Sequence, residues 1–352
     1  MILHNVPTMV LHIGTARLSS PLDWLACQSH SGHHSKYLEN STISTHCPQP
    51  SIIELIILCS LPSSVGFRPN LDSFRIQKMS LIRFVHSADL HLDSPFRGLA
   101  AVQPDIAARL RQATFDAYDN IISLCIEEQV DALLVAGDVF DSADRSLRAQ
   151  HRFVDGLKQL DEAGIRSFIC HGNHDPLDGW EAKLDFPPHA VRFGPDVDGV
   201  PVFPDDPDRV IVYGMSYPTR EVRENLIPRF VTSGAEKISI GLIHANVGTD
   251  TGHEAYAPCT LGDLEAMGID YWALGHVHTR QILRPAKPAV VYPGNPQGRH
   301  PNERDARGVY LVEVTDSGTI HTDFRPVDVV RWESLDIRID EVEDYQDLED
   351  RL

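Results

Sequence analysis

Five short apolar runs in this 352-residue chain each end in residues that bind metals. The first runs into Asp89-Leu90-His91, the second into Gly137-Asp138-Val139-Phe140-Asp141, and the third into Gly172-Asn173-His174-Asp175. The fourth ends in His244, and the fifth in Gly275-His276-Val277-His278. Any one of these residues alone would more often be a helix cap, a turn or a solvated polar group. Carboxylates, imidazoles and an amide at the ends of five successive runs form a convergent set. In open α/β sheets the crevice beyond the strand carboxyl ends is where ligands bind.

Asp89, His91, Asp138, Asn173, His244, His276 and His278 make seven candidate donors, too many for one catalytic ion with an open position. They suit two ions sharing a carboxylate, roughly 3.5–4 Å apart. An oxygen and nitrogen set without sulfur suits Mn²⁺, Fe²⁺ or Zn²⁺. His174 follows a donor without having to be one, and an imidazole beside a metal pair is a natural general acid for a leaving oxygen.

The elements that must position these residues alternate from Met79 onward. Apolar runs predict strands over 82–86, 131–136, 165–170, 209–213, 237–243, 271–274, 289–292 and 308–314. Helical spacing covers 105–128, with Ile106, Leu110, Phe115, Ile122 and Cys125 on one stripe, and also 146–163 and 261–267. Gly164 and Gly268 close the last two helices. This order predicts an α/β fold with sheets covered by helices. His86 and His171 lie inside strands and read as satisfied core histidines, and Cys125 and Cys170 as inert core thiols.

No run of 18 apolar residues exists, which excludes an apolar spanning helix. None of the six cysteines forms a CxxC pair, so a disulfide scaffold and a thiolate zinc site are not expected, and a reducing cytoplasm is the expected compartment. Residues 1–78 carry a net charge near +1 and the remainder about −20. That balance opposes general attraction to nucleic acid, unless carboxylates gather metal ions that then meet the phosphates. The first 78 residues are rich in Ser, Thr, Pro and His and lack a sustained period, so they are expected to be a disordered, non-native or leader extension.

The ordered motif set resembles the calcineurin-like metallophosphoesterases. The stretches Phe84 to Pro95 and Tyr292 to Glu303 are similar to the DNA-repair exonuclease branch of that superfamily, the SbcD and YhaO type. The resemblance implies a four-layer α-β-β-α sandwich, two packed mixed β-sheets flanked by helices, over 79–328. It implies that Asp89, His91, Asp138 and His278 hold one metal, with Asp138 bridging to a second held by Asn173, His244 and His276. His174 matches the catalytic non-ligand histidine, and Asp141 and Asp175 the groups that orient ligands or tune the acid. Two divalent ions, in the first place Mn²⁺, are the expected cofactors. DNA is the expected substrate, cleaved through a metal-bridging hydroxide, with a coiled-coil ATPase partner and a homodimer as further expectations. Arg97, Arg299 and His300 are candidates for contacting substrate phosphates.

Family members continue into a capping domain. Here 329–352 reads as its start only, ending in an acidic helix from Glu341 to Leu352. Two other readings follow: a phosphoesterase for cyclic nucleotides or phosphomonoesters, favoured by the acidic charge, and a weakly active subunit that docks a partner.

Overall fold

The computed structural model describes residues 10–11, 14–15, 80–94, 104–142, 145–248, 254–333 and 335–336. The expectations for the rest of residues 1–78, for Arg97 and for the 341–352 helix lie outside the described residues. In chain order the strands are β1 (Val10–Leu11), β2 (Gly14–Thr15), β3 (Ser80–Ser87), β4 (Ala132–Ala136), β5 (Arg166–Cys170), β6 (Ala190–Arg192), β7 (Asp198–Pro201) and β8 (Val210–Gly214). They continue as β9 (Ile238–His244), β10 (Tyr271–Gly275), β11 (Gln281–Arg284), β12 (Ala289–Tyr292), β13 (Gly308–Thr315), β14 (Ile320–Pro326), β15 (Arg331–Trp332) and β16 (Leu335–Asp336). The helices are α1 (Pro104–Glu127), α2 (Leu147–Glu162) and α3 (Leu261–Ala266).

Two six-stranded mixed sheets are formed, ordered β14-β13-β3-β4-β5-β6 and β11-β12-β10-β9-β8-β7. Alternation along the central strands decides what each face meets. Phe84, Leu134 and Phe168 of the first sheet share one buried cluster with Ile240, Leu242 and Tyr271 of the second. That cluster is the seam between the sheets. One residue along, Val85, Leu133 and Ile169 pack instead with Tyr118 and Ile122 of α1 and with Phe153 and Leu157 of α2. On the far face of the second sheet, Trp272, Leu274 and Val290 are buried with Tyr217, Phe230 and Leu264. Each such burial is worth roughly 1.5–3 kcal/mol. The outer layer on the second sheet is thin, since α3 has only 6 residues and loops supply the rest.

The central strands run parallel: β3 with β4, β4 with β5, and β9 with β10. Parallel strands bring their carboxyl ends to one edge. The loops after β3, β4 and β5 therefore emerge together from the first sheet, and the ends of β9 and β10 from the second. Ser146 caps α2 by accepting from the Ala149 N–H, and its hydroxyl also donates to Asp93 at 2.6 Å. That bond ties the helix start to the loop carrying Asp89 and His91.

Within the two six-stranded sheets, four strands escape the periodicity reading. β6, β7, β11 and β14 are half-buried or exposed, and all flank or form sheet edges. None of the helices is long and apolar enough to cross a membrane, among the described residues. Cys125, Cys170 and Cys259 are buried free thiols.

Candidate metal centre

The ligand loops are held in register by backbone bonds. Asp89 and His91 donate their N–H groups to the carbonyls of Gly137 and Asp138 at 3.1 and 3.0 Å. His276 donates its N–H to both carboxylate oxygens of Asp89, at 3.1 and 3.2 Å, across the seam between the sheets. Asp89, His91, Asp138 and His276 all adopt positive φ, at 52, 43, 49 and 103°. Non-glycine residues pay roughly 1–3 kcal/mol for such conformations, which cluster at functional sites. Gly137 has φ of 85°, and a Cβ there would lie 2.4 Å from the His244 ring, so only glycine lets this loop pass the imidazole.

The donors converge. His244 Nε2 lies 3.0 Å from Asn173 Oδ1 and 3.4 Å from Asp138 Oδ2. His91 Nε2 lies 3.2 Å from His278 Nε2 and 3.8 Å from Asp138 Oδ2. The imidazoles of His91 and His278 meet edge to face with centroids 5.1 Å apart, as do those of His244 and His276. Asp89, His91, Asp138, Asn173, His244 and His276 are each 5% exposed or less.

The second ring nitrogen of three histidines fixes which nitrogen faces the site. His244 Nδ1 donates to the Ala136 carbonyl at 3.0 Å, leaving Nε2 as the lone-pair nitrogen. His276 Nε2 donates to the Glu254 carbonyl at 2.8 Å, leaving Nδ1. His278 Nδ1 donates to Glu303 Oε1 at 2.7 Å, leaving Nε2. Metal-binding imidazoles are oriented by such outer partners. At one end the cluster therefore sets acceptor against acceptor, with His244 Nε2, Asn173 Oδ1 and Asp138 Oδ2 in mutual reach, while at the other His278 Nε2 faces buried His91. Lone pairs at these distances repel unless a cation lies among them, so the donor set fits divalent metal.

The electrostatics agree. Burial and the charge of Asp138 push the Asp89 carboxyl well above the usual carboxylate range. Burial, with the charge of Asp175 adding to it, raises Asp138 to about 6 against the opposing pull of His174. Burial, Arg299 and His278 hold His91 well below the ordinary imidazole value, and burial lowers His244 to about 4. Two repelling carboxylates among neutral imidazoles are what cations would stabilise.

The remaining expected residues fall around this centre. His174 is half-buried, its ring centroid 4.9 Å from that of His91. Its Nδ1 donates to the Asp141 carbonyl at 2.9 Å, which leaves Nε2 to hold or give a proton. Asp141 Oδ1 lies 3.2 Å from His91 Nδ1 and accepts from Arg299 Nη1 at 2.6 Å. The Asp175 carboxylate is fully buried and saturated by the N–H groups of Val139, Phe140 and Gly172 and by His171 Nδ1. It pins the Asp138 loop to the Asn173 loop. His171 is thus a partnered core histidine, and His86 bonds the Tyr271 hydroxyl at 3.0 Å. The Arg299 guanidinium reaches the centre but is tied to Asp141 and to the Ser94 hydroxyl. His300 is exposed, with its Nδ1 accepting from the Asn302 N–H.

Glu303 is a site residue to which sequence reasoning assigned no role. Besides holding His278, it accepts the Arg299 N–H at 2.6 Å and the Asn295 amide at 3.0 Å. Burial is the largest single influence and opposes its charge, but the His278 bond, the charges of His278 and Arg299 and the Arg299 N–H together outweigh it, and the carboxyl sits at about 2. The one available signal was the crowding of polar residues between Asn295 and Glu303, two of which, Asn295 and Gln297, are buried.

Comparison with known proteins follows the same outline. Residues 82–280 match the calcineurin-like phosphoesterase family. The chain is 40% identical over 261 residues to the uncharacterized metallophosphoesterase YhaO of Bacillus subtilis, covering 74% of this chain and 64% of that one. It is 28% identical over 210 residues to the DNA double-strand break repair protein Mre11 of Sulfurisphaera tokodaii, covering 58% of this chain and 51% of the relative. It is 26% identical over 255 residues to the SbcD component of the nuclease SbcCD of Bacillus subtilis, covering 61% of each. The chain thus spans less than two thirds of the length of these relatives. Since all seven converging donors fall inside the matched segment, on the strand ends that bring them together, this chain belongs to the calcineurin-like phosphoesterase family.

Proposed function

We propose that this chain is a two-metal phosphodiesterase that hydrolyses DNA, the nuclease subunit of a repair assembly with a coiled-coil ATPase partner. The observation that carries the reading is the convergence of seven oxygen and nitrogen donors with three imidazole tautomers fixed from behind, flanked by a half-buried histidine whose Nε2 bonds none of the described residues. Asp89, His91, Asp138 and His278 would hold one ion, and Asp138, Asn173, His244 and His276 the other, with Mn²⁺ suited to this mixed oxygen and nitrogen set. Bound ions would neutralise phosphate charge and make water a better nucleophile.

The chain's own residues do the rest. Asp175 and the Gly137 turn set the loops. Glu303 and the Ala136 and Glu254 carbonyls orient the imidazoles. His174 Nε2 donates its proton to the leaving oxygen as the P–O bond breaks, held in place through the Asp141 carbonyl. Relatives named for DNA double-strand break repair and as a nuclease support DNA as the substrate. The net charge of −19 favours a second reading, a phosphoesterase for small substrates, in a cytoplasmic setting in either case. A Mn²⁺-dependent assay comparing duplex DNA, single-stranded DNA and bis-p-nitrophenyl phosphate separates them. Hydrolysis of the small ester alone would favour the second reading.

A further inference from the structure

An acidic chain that handles DNA needs a local patch of positive charge, and one lies beside the metal centre. A cavity of about 510 Å³ is lined by Arg280, Arg304 and Arg307, with Thr279 and Asn302 adding polar groups and Asp305 the one carboxylate. It begins at the residue after His278. Arg307 joins the two sites, donating Nη1 to the His278 carbonyl and to Asn295 Oδ1.

Its arginines differ from most of the other arginines among the described residues. Acids outnumber bases 50 to 31, and Arg83, Arg145, Arg148, Arg152, Arg192 and Arg229 each reach a carboxylate within 4.0 Å. Among the described residues, none of the three cavity arginines does. Arg280 is nonetheless placed: its guanidinium stacks on Phe324 at 4.0 Å and donates to the Ala306 carbonyl at 2.9 Å. Arg304 is exposed, with a long 3.4 Å bond to the Pro301 carbonyl. Arg307 is 9% exposed, and burial lowers its pKa against the opposing pull of Glu303 and Asp305. Converging guanidinium groups that form no ion pair within 4.0 Å and sit in a recess have the chemistry of a phosphate site.

We infer that this recess is a subsite for the phosphodiester backbone of a nucleic-acid strand whose neighbouring phosphate occupies the metal centre. The inference rests on the nuclease reading and adds to it where the strand leaves the centre. Arg280 and Arg304 supply the charge, and Arg307 fixes the recess against the ligand loop. A small phosphodiester would not span both places, so the subsite distinguishes a polynucleotide from a small ester.

The test uses the full chain with Arg280→Ala, Arg304→Glu and the double variant. Arg304→Glu guards against misfolding, because the Arg304 side chain is exposed and makes only that long backbone bond. Binding of a labelled single-stranded oligonucleotide is followed by anisotropy in EDTA over a salt series, and Mn²⁺-dependent turnover with the oligonucleotide and with bis-p-nitrophenyl phosphate. The double variant should bind roughly tenfold more weakly. Its log–log salt slope should flatten by about 0.7 for each phosphate that is no longer neutralised. KM for the oligonucleotide should rise while turnover of bis-p-nitrophenyl phosphate stays at the wild-type level. Unchanged affinity and slope would overturn the subsite, and so would parallel loss of the small-ester activity. A wild-type protein that hydrolyses the small ester but neither binds nor cleaves the oligonucleotide would overturn the nuclease reading itself.

Discussion

Replacing Glu303 with Gln keeps the side-chain size but removes the charge that orients His278. The fall of its pKa from the ordinary 4.5 to about 2 corresponds to roughly 3 kcal/mol of folding free energy, on a side chain that is 15% exposed. Because the folded state favours the carboxylate, this stabilisation is complete above pH 4.5 and is lost as the pH falls towards 2. Urea unfolding of the metal-free protein at pH 7 should therefore show Glu303→Gln less stable by about 1–3 kcal/mol, with the gap closing towards pH 3. A neutral amide also orients His278 less firmly and makes its Nε2 a weaker ligand, so Mn²⁺ affinity by calorimetry should fall on the order of 10- to 100-fold. Equal Mn²⁺ affinity in variant and wild type would refute Glu303 as a positioning residue. A stability loss that persisted unchanged at pH 3 would refute the charge as its origin.

Three further outcomes are expected. Asp138→Asn or His276→Ala should abolish Mn²⁺-dependent hydrolysis, and metal analysis of the wild type should find two ions at saturation, one or none counting against a shared pair. His174→Ala should keep that stoichiometry while losing on the order of 10²–10⁴ in rate, with partial rescue by a leaving group of low pKa; loss of an ion would mean that His174 is itself a ligand. Asp138 is raised to about 6, so metal-free protein should lose stability as the pH rises from about 4 through 6. Mn²⁺ should restore that stability and release protons near pH 6, visible as a buffer-dependent binding enthalpy.

Much of the centre was legible because its parts sit at the ends of fully buried strands. β4, β9 and β10 are buried at every position, so their apolar runs stand out and their last residues mark the sheet edge. β14 alternates between half-buried and exposed residues, and β7 is held through its pairing with β8 rather than by an apolar run. Tertiary pairing, not pattern, makes these strands. Glu303 stands 25 residues from His278, on a loop with no period to betray it. The arginine recess was hidden for a related reason: Arg280, Arg304 and Arg307 merge into an acidic total until the loops fold together.

The seam between the sheets has a mechanical consequence. Asp89, His91, Asp138 and Asn173 come from one sheet, and His244, His276 and His278 from the other. Each ion would therefore be a rivet driven through both plates. With that ligand set neither sheet alone would offer a complete coordination set, so sliding or parting of the two would release both ions together. Metal occupancy then acts as a gauge of whether the sandwich is closed. Chelation should loosen amide protection first along the seam strands β4, β9 and β10, before the helical face of the first sheet responds.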